Sequence, residues 1–177
     1  MRTLLFNAFI HAPLTEPALP VAPTEVSELA ARLAKLSRRK LGHSLAIRAV
    51  DAGSCNGCEL EIHALGNAFY DLERFGLRFV ASPRHADVLL VTGPVTKNMR
   101  EALERTYAAT PAPKFVVAVG DCAFDGGIFS GSYACIGAVA NVIPVDLHIR
   151  GCPPCPNALL QGLIALMEAH DASGSTG

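Results

Sequence analysis

The chain has 177 residues, 50% of them hydrophobic, which suits one ordinary domain with a core that needs no disulfide support. Its 15 basic and 16 acidic residues nearly balance, so no net field favours nucleic acid or anionic lipid. Trp is absent and aromatic residues make up 6%, which argues against the stacking platform of a single-stranded nucleic-acid binder.

The first part of the chain predicts an arm followed by a helix. Prolines recur between positions 13 and 23, which forbids a continuous helix and favours an extended arm. This start lacks the apolar core and cleavage site of an export signal, so we expect an unprocessed cytoplasmic protein. From Ser27, ELAARLAKLSRRK predicts a basic amphipathic helix that covers the domain, with a docking helix for a partner or membrane as the alternative. Residues 1–43 form this arm and helix.

Residues 44–170 alternate strand and helix patterns and predict the main domain. Strands are predicted in SLAIRAV (44–50), LRFVAS (77–82), DVLLVTG (87–93), KFVVAVGDC (114–122) and NVIPVDLHI (141–149). Helices are predicted over 59–76 ending at Gly76, over 95–109 with Thr96 as the N-cap, and over 156–170 with Pro156 in the first turn. This alternation indicates a flavodoxin-like α/β domain with a parallel sheet covered on both faces. Residues 171–177 are expected to form a flexible tail.

Four of the six cysteines follow predicted strands. Cys55 and Cys58 come after the first strand, Cys122 follows KFVVAVG, and Cys152 follows the last strand. In such sheets ligands bind at the carboxyl ends of the strands, near the topological switch point. Three loops would therefore bring thiols to one edge. Because reducing cytosol keeps thiols free, we expect metal ligation rather than disulfides.

The cysteine count leaves two kinds of metal site open. A pair plus two distant single cysteines matches a cubane iron–sulfur cluster. Cys135, among small apolar neighbours, is expected to be buried and inert. Cys155 forms a second C-x-x-C with Cys152, so a structural zinc held by the two C-x-x-C motifs is the alternative, although it leaves Cys122 unexplained. A thioredoxin-type dithiol and a flavin site fit less well, because other thiols converge and no phosphate loop follows the first strand.

The blocks SCNGCELE, VTGPVT, VGDCAFDGG and GCPPCP occur in this order across most of residues 44–170. Together they resemble the small subunit of membrane-bound, energy-converting [NiFe] hydrogenases of the formate hydrogenlyase type. That family is homologous to the 20 kDa subunit of NADH:quinone oxidoreductase, complex I. Asn56 and Gly57 separate the first two cysteines, as in hydrogenases, whereas complex I subunits usually have adjacent cysteines. The chain ends soon after its last helix, which favours the short type, and Cys155 departs from the family pattern.

The resemblance implies one [4Fe–4S] cluster held by Cys55, Cys58, Cys122 and Cys152. It also implies docking to a large subunit that carries a nickel–iron centre or, alternatively, a quinone site. A ferredoxin-like iron–sulfur subunit and membrane subunits would complete the complex, on the inner face of the cytoplasmic membrane. We therefore expect an electron relay that acts as part of an oxidoreductase and has no turnover alone.

Glu61 lies three residues after Cys58 and is expected on the same helical face. In the resembled family an acid at this offset is associated with proton movement, so proton handling is predicted for Glu61. A surface glutamate at a helix start is the alternative, and Glu59 is assigned that simpler role. His63 is expected to be structural or at the surface. The turn at 92–94 is expected to shape the loop over the site.

Overall fold

The computed structural model describes residues 25–173, with side chains described to residue 169. Most of the predicted arm and the end of the predicted tail lie outside these residues. The helices are α1 (Glu25–Leu41), α2 (Gly57–Ala64), α3 (Arg100–Ala109), α4 (Asp121–Asp125) and α5 (Pro156–Ser173). The strands are β1 (Ala46–Asp51), β2 (Arg78–Phe79), β3 (Val88–Thr92), β4 (Val95–Thr96), β5 (Phe115–Val119), β6 (Cys135–Gly137) and β7 (Leu147–Ile149). None of the helices in the described part is long and apolar enough to span a membrane.

Five parallel strands form the main sheet in the order β2-β1-β3-β5-β7. Counted along the chain, this is the flavodoxin-like order 2-1-3-4-5. Every residue of β3 and β5 is buried, as expected for central parallel strands covered on both faces. The order reverses between β1 and β3, which makes the carboxyl ends of these two strands the topological switch point. The predicted fold class is confirmed.

Helix α1 packs against α5 on one face of the sheet. Its buried side chains are Val26, Ala30, Leu33, Ala34 and Ser37. Arg32 on its exposed side pairs with Glu168 of α5 at 2.5 Å. On the other face, Leu103 of α3 and Ala123 of α4 belong to a second buried cluster. The apolar stripe of α1 is therefore buried within the chain itself.

The helix predicted over 59–76 is wrong in its length. Helix α2 ends at Ala64, and only a short 3-10 turn, Leu72–Phe75, follows. The Asn67 side chain accepts hydrogen bonds from the backbone N–H groups of Phe69 and Tyr70, at 2.9 and 3.0 Å. Such local side-chain bonds compete with helical ones and end the helix. Gly76 ends this 3-10 turn rather than the long helix that it was predicted to end.

Two further boundaries differ from the sequence prediction. Thr96 is not a helix cap: it lies in β4, its hydroxyl donates to the Ala52 carbonyl at 3.2 Å, and α3 begins only at Arg100. The strand predicted over 141–149 is confined to β7. Proline has no N–H to give a parallel ladder, so Pro144 keeps the preceding residues out of the sheet.

Candidate metal centre

A cavity of about 120 Å³ lies at the carboxyl ends of the central strands. Its thiols are Cys55, Cys58, Cys122 and Cys152. Its other lining residues are Ser54, Gly57, Gly93, Asp121, Gly151 and Pro153. The loops after β1, β3, β5 and β7 all contribute, so the sheet topology brings together cysteines that are far apart in the sequence.

The first cysteine pair is set by the loop between β1 and α2. The Asp51 carboxylate accepts hydrogen bonds from the N–H groups of Gly53 and Ser54, both at 2.7 Å, which fixes the loop to the end of β1. Asn56 then adopts a left-handed conformation, φ 71°, which asparagine tolerates better than most residues. The chain turns sharply there, and Cys58 follows in the first turn of α2.

Two glycines leave room for sulfur atoms. A Cβ at Gly120 would lie 2.6 Å from Cys58 Sγ, and one at Gly127 would lie 2.8 Å from Cys122 Sγ. Their φ values of 89° and 50° also disfavour any side chain. The backbone therefore forms a close-fitting cradle that any other residue would fill.

The loops after β5 and β7 are fastened to each other. Arg150 Nε donates to Asp121 Oδ1 at 2.5 Å, and the same oxygen accepts the Gly151 N–H at 3.2 Å. The Arg150 guanidinium also lies 4.1 Å from the centre of the Phe124 ring. The Arg150 side chain and the Gly151 N–H hold the pKa of the Asp121 carboxyl below its usual range. These contacts fix Cys152 relative to Cys122.

The four thiols are close enough to influence one another. Burial raises the pKa of the Cys58 thiol to about 12, and the Glu59 carboxylate and the Cys122, Cys55 and Cys152 thiols act in the same direction. Burial also raises the pKa of Cys122, followed by the effects of Cys152 and Cys55. Four thiolates held this close repel each other, so their ionised form needs a positively charged group between them. This donor set fits an iron–sulfur cluster.

Within residues 25–173, no three His, Cys, Asp or Glu side chains converge closely enough to hold a single metal ion. A tetrahedral zinc site requires such convergence, with each sulfur about 2.3 Å from one ion. A cubane cluster makes a different demand, because each thiolate binds its own iron at a separate corner. The four cysteines line one cavity, but among the described residues they are not drawn together into a metal-binding group.

Comparison with known proteins identifies the family. Residues 55–166 match the family described as NADH ubiquinone oxidoreductase, 20 Kd subunit. The chain belongs to this family. The matched range begins at Cys55 and includes every cysteine that lines the cavity.

The relatives are subunits of oxidoreductase complexes. The chain is 44% identical over 145 residues to the probable membrane-bound hydrogenase subunit mbhJ of Pyrococcus furiosus, covering 82% of this chain and 86% of that one. It is 44% identical over 144 residues to formate hydrogenlyase subunit 7 of Escherichia coli K12, covering 81% of this chain but 56% of the relative. A chain in the structure of the membrane-bound sulfane sulfur reductase, an archaeal respiratory membrane complex, matches with a TM-score of 0.66 at 39% identity, covering 82% of this chain and 79% of that one. The predicted family resemblance is confirmed.

The two remaining cysteines lie away from the thiol cavity. Cys155 is exposed, and its carbonyl accepts the Leu159 N–H at 3.1 Å, so it lies at the entrance to α5. Cys135 is half-buried in β6, opposite Thr96 of β4, rather than fully buried as expected. It lines a separate cavity of about 300 Å³.

The two glutamates of α2 differ in their surroundings. Glu61 is half-buried and does not line the thiol cavity, so its role in proton handling stays a prediction. Glu59 accepts hydrogen bonds from the hydroxyls of Ser54 and Thr92, which is more than the simple helix-start role assigned from the sequence. No local signal in the sequence could have found these contacts, because Thr92 lies in β3, 33 residues away in the chain. His63 is exposed, in keeping with its prediction.

Proposed function

We propose that the chain holds one [4Fe–4S] cluster through Cys55, Cys58, Cys122 and Cys152 and relays electrons between an iron–sulfur partner and the [NiFe] site of a hydrogenase-type large subunit. The observation that carries this proposal is the cavity lined by these four thiols at the strand ends. A bound cluster supplies reversible one-electron chemistry, at a potential set by nearby charge, hydrogen bonds and exposure to solvent.

In this proposal, the residues of the chain bind the cluster, shield part of it and orient its exposed edge. The glycine cradle lets Cys58 and Cys122 lie directly against the backbone. Cys55 and Cys152 are exposed, so the cavity has an edge that faces outward. A relay needs such an edge, because a partner must approach the cluster to exchange electrons with it.

The surface beside this edge has the features of a binding site for a partner subunit. Ile128 and Tyr133 are 86% and 90% exposed, and Phe124 and Phe129 are partly exposed in the same segment. Ile128 also lines a second cavity of about 500 Å³ that shares Cys122 and Cys152 with the first. Apolar side chains grouped at a surface mark interaction sites. We assign the large subunit to this surface.

The proposed complex includes a ferredoxin-like iron–sulfur subunit and membrane subunits, which place this chain peripherally on the inner face of the cytoplasmic membrane. Two of the similar proteins are described as membrane-bound or as part of a respiratory membrane complex, which supports the association with membrane subunits.

The first test is chemical. The full chain, purified anaerobically, is expected to contain about four iron and four sulfide per molecule and to show the visible absorption of a cubane cluster. Stoichiometric zinc with no iron after anaerobic reconstitution would overturn the proposal and restore the zinc alternative.

The second test concerns the partner. The chain is co-purified with the subunits encoded next to it, and hydrogen oxidation and quinone reduction are assayed separately. Hydrogen oxidation by the complex, with none by the isolated cluster-loaded chain, is the expected result. Quinone reduction without hydrogen oxidation would assign the chain to the complex I-like alternative, and turnover by the isolated chain would contradict the subunit role.

A further inference from the structure

Glu59 connects three elements at the switch point. It lies in the first turn of α2, and its Oε2 accepts the Ser54 hydroxyl at 2.5 Å. Its Oε1 accepts the hydroxyl of Thr92, the last residue of β3. Ser54 in turn accepts the Asn56 N–H at 3.0 Å. One carboxylate therefore links the loop after β1, the end of β3 and the start of α2.

The loop after β1 has little freedom to move. Thr92 is buried, and β1 and β3 are paired up to the contact between Asp51 and Thr92. A Cβ at Gly93 would lie within 2.5 to 2.7 Å of Ser54, so the loop after β1 passes directly over the end of β3. A hydrogen-bonded link at this point fixes the residues on both sides of Cys55.

Glu59 also carries a charge without a basic partner. No Lys or Arg pairs with it among the described residues, whereas Asp121 on the far side of the cavity is paired with Arg150. Glu59 directly follows Cys58 in the first turn of α2, and Cys58 lines the cavity. The Glu59 carboxylate therefore has hydroxyl partners but no ion-pair partner among the described residues.

We propose that Glu59 is a positioning residue that clamps the Cys55–Cys58 loop to the end of β3 and, by its unpaired charge beside Cys58, lowers the reduction potential of the group bound there. The proposal rests on the cluster assigned above. A negative charge near a redox centre disfavours the arrival of an electron, and the effect is large where burial limits screening by water.

The decisive variant is Glu59→Gln, which keeps the length of the side chain and removes the charge. Its amide can still bond both hydroxyls, with the oxygen accepting from one and the N–H donating to the other. The midpoint potential of the full chain is measured by anaerobic redox titration followed by electron paramagnetic resonance. We expect the reduced-to-oxidised ratio at a fixed potential to rise on the order of tenfold, about 59 mV for a one-electron couple. Glu101→Gln, the same change at an exposed residue of α3, is the control and should leave the potential unchanged.

Glu59→Asp tests the clamp separately, because it keeps the charge but shortens the side chain by one methylene. The expected result is a potential close to that of the natural chain with several-fold faster loss of iron to a chelator. If Glu59→Asp retained iron as well as the natural chain does, the proposed role of Glu59 as a clamp would be overturned. A potential as high as that of Glu59→Gln would overturn the effect of the charge, as would an unchanged potential in a fully loaded Glu59→Gln chain.

These results are distinct from failure of the proposed function. If the natural chain binds no iron–sulfur cluster, the assigned function is wrong. If the natural chain is loaded and the variants behave like it, only the role of Glu59 is wrong.

Discussion

The two C-x-x-C motifs have the same spacing but present their sulfurs differently. In the first motif, Asn56 adopts a left-handed conformation, and together with Gly57 it turns the chain around the cavity. Both Cys55 and Cys58 line that cavity. In the second motif only the first cysteine lines the cavity.

The reason lies in the residues between the cysteines. Pro153 lines the cavity and Pro154 is buried against Gly151, where an added Cβ would lie 2.7 Å from its ring nitrogen. The chain then passes into α5, and Cys155 remains exposed at the start of that helix. Equal spacing therefore does not mean an equal number of thiols in the cavity, and Cys122 brings the fourth thiol from the segment after β5.

The largest expected effect separates Cys122 from Cys155. Cys122→Ser should lose the cluster or convert it to a form with fewer irons, because a thiolate ligand is removed from the cavity. Cys155→Ser and Cys135→Ser should keep it. Iron content and the electron paramagnetic resonance spectrum of each purified variant provide the measurement, and a spectrum that survives in Cys122→Ser but not in Cys155→Ser would reverse the comparison.

In the chain without its cluster, Cys58 should react far more slowly with iodoacetamide than Cys155 does at neutral pH. Cys58 is half-buried with a pKa raised to about 12, whereas Cys155 is exposed. Since the thiolate is the nucleophile, the rate at Cys58 should increase about tenfold per pH unit until the pH approaches that pKa. Peptide mass spectrometry over a pH series measures this, and a rate at Cys58 that levels off near neutrality would contradict it.

Gly120→Ala should displace Cys58 of the first C-x-x-C motif, although Gly120 lies outside that motif. The new methyl group would lie 2.6 Å from Cys58 Sγ, at a φ of 89°. We expect cluster content to fall several-fold and the free energy of unfolding to drop by about 1–3 kcal/mol. Gly131→Ala is a matched control: its φ of 81° is similar, but an added Cβ meets nothing within 4 Å. This variant places a side chain at a positive φ without approaching a sulfur atom and should keep the cluster, so equal cluster loss in both variants would argue against the cradle.

The smallest effect on activity is expected from a substitution at Glu61, on the helix that begins in the first motif. Glu61→Gln should preserve cluster content and complex assembly but slow turnover a few-fold, because it removes an acid predicted to handle protons. Hydrogen turnover by the assembled complex is the measurement. Full activity would return Glu61 to the simple role of a surface glutamate at a helix start.

The sequence was informative where burial decides the structure. Strands β1, β3 and β5 follow from their apolar runs, and the ends of the predicted strands already place all four thiols at one edge of the sheet. The early end of α2 depends on the side chain of Asn67, which helical periodicity cannot detect. The contacts of Glu59 depend on Thr92, 33 residues away in the chain, and no local pattern encodes such a pairing.

The wide separation of Cys55 and Cys152 along the chain has a mechanical consequence. Any group bound to both thiols closes a covalent loop of roughly 100 residues, and the chain-entropy model for cross-links of that length gives about 4.7 kcal/mol of stabilisation through the unfolded chain. The cofactor would thus act as a staple across nearly the whole sheet. The resistance of the domain to unfolding would therefore increase when iron is supplied and decrease when it is withheld.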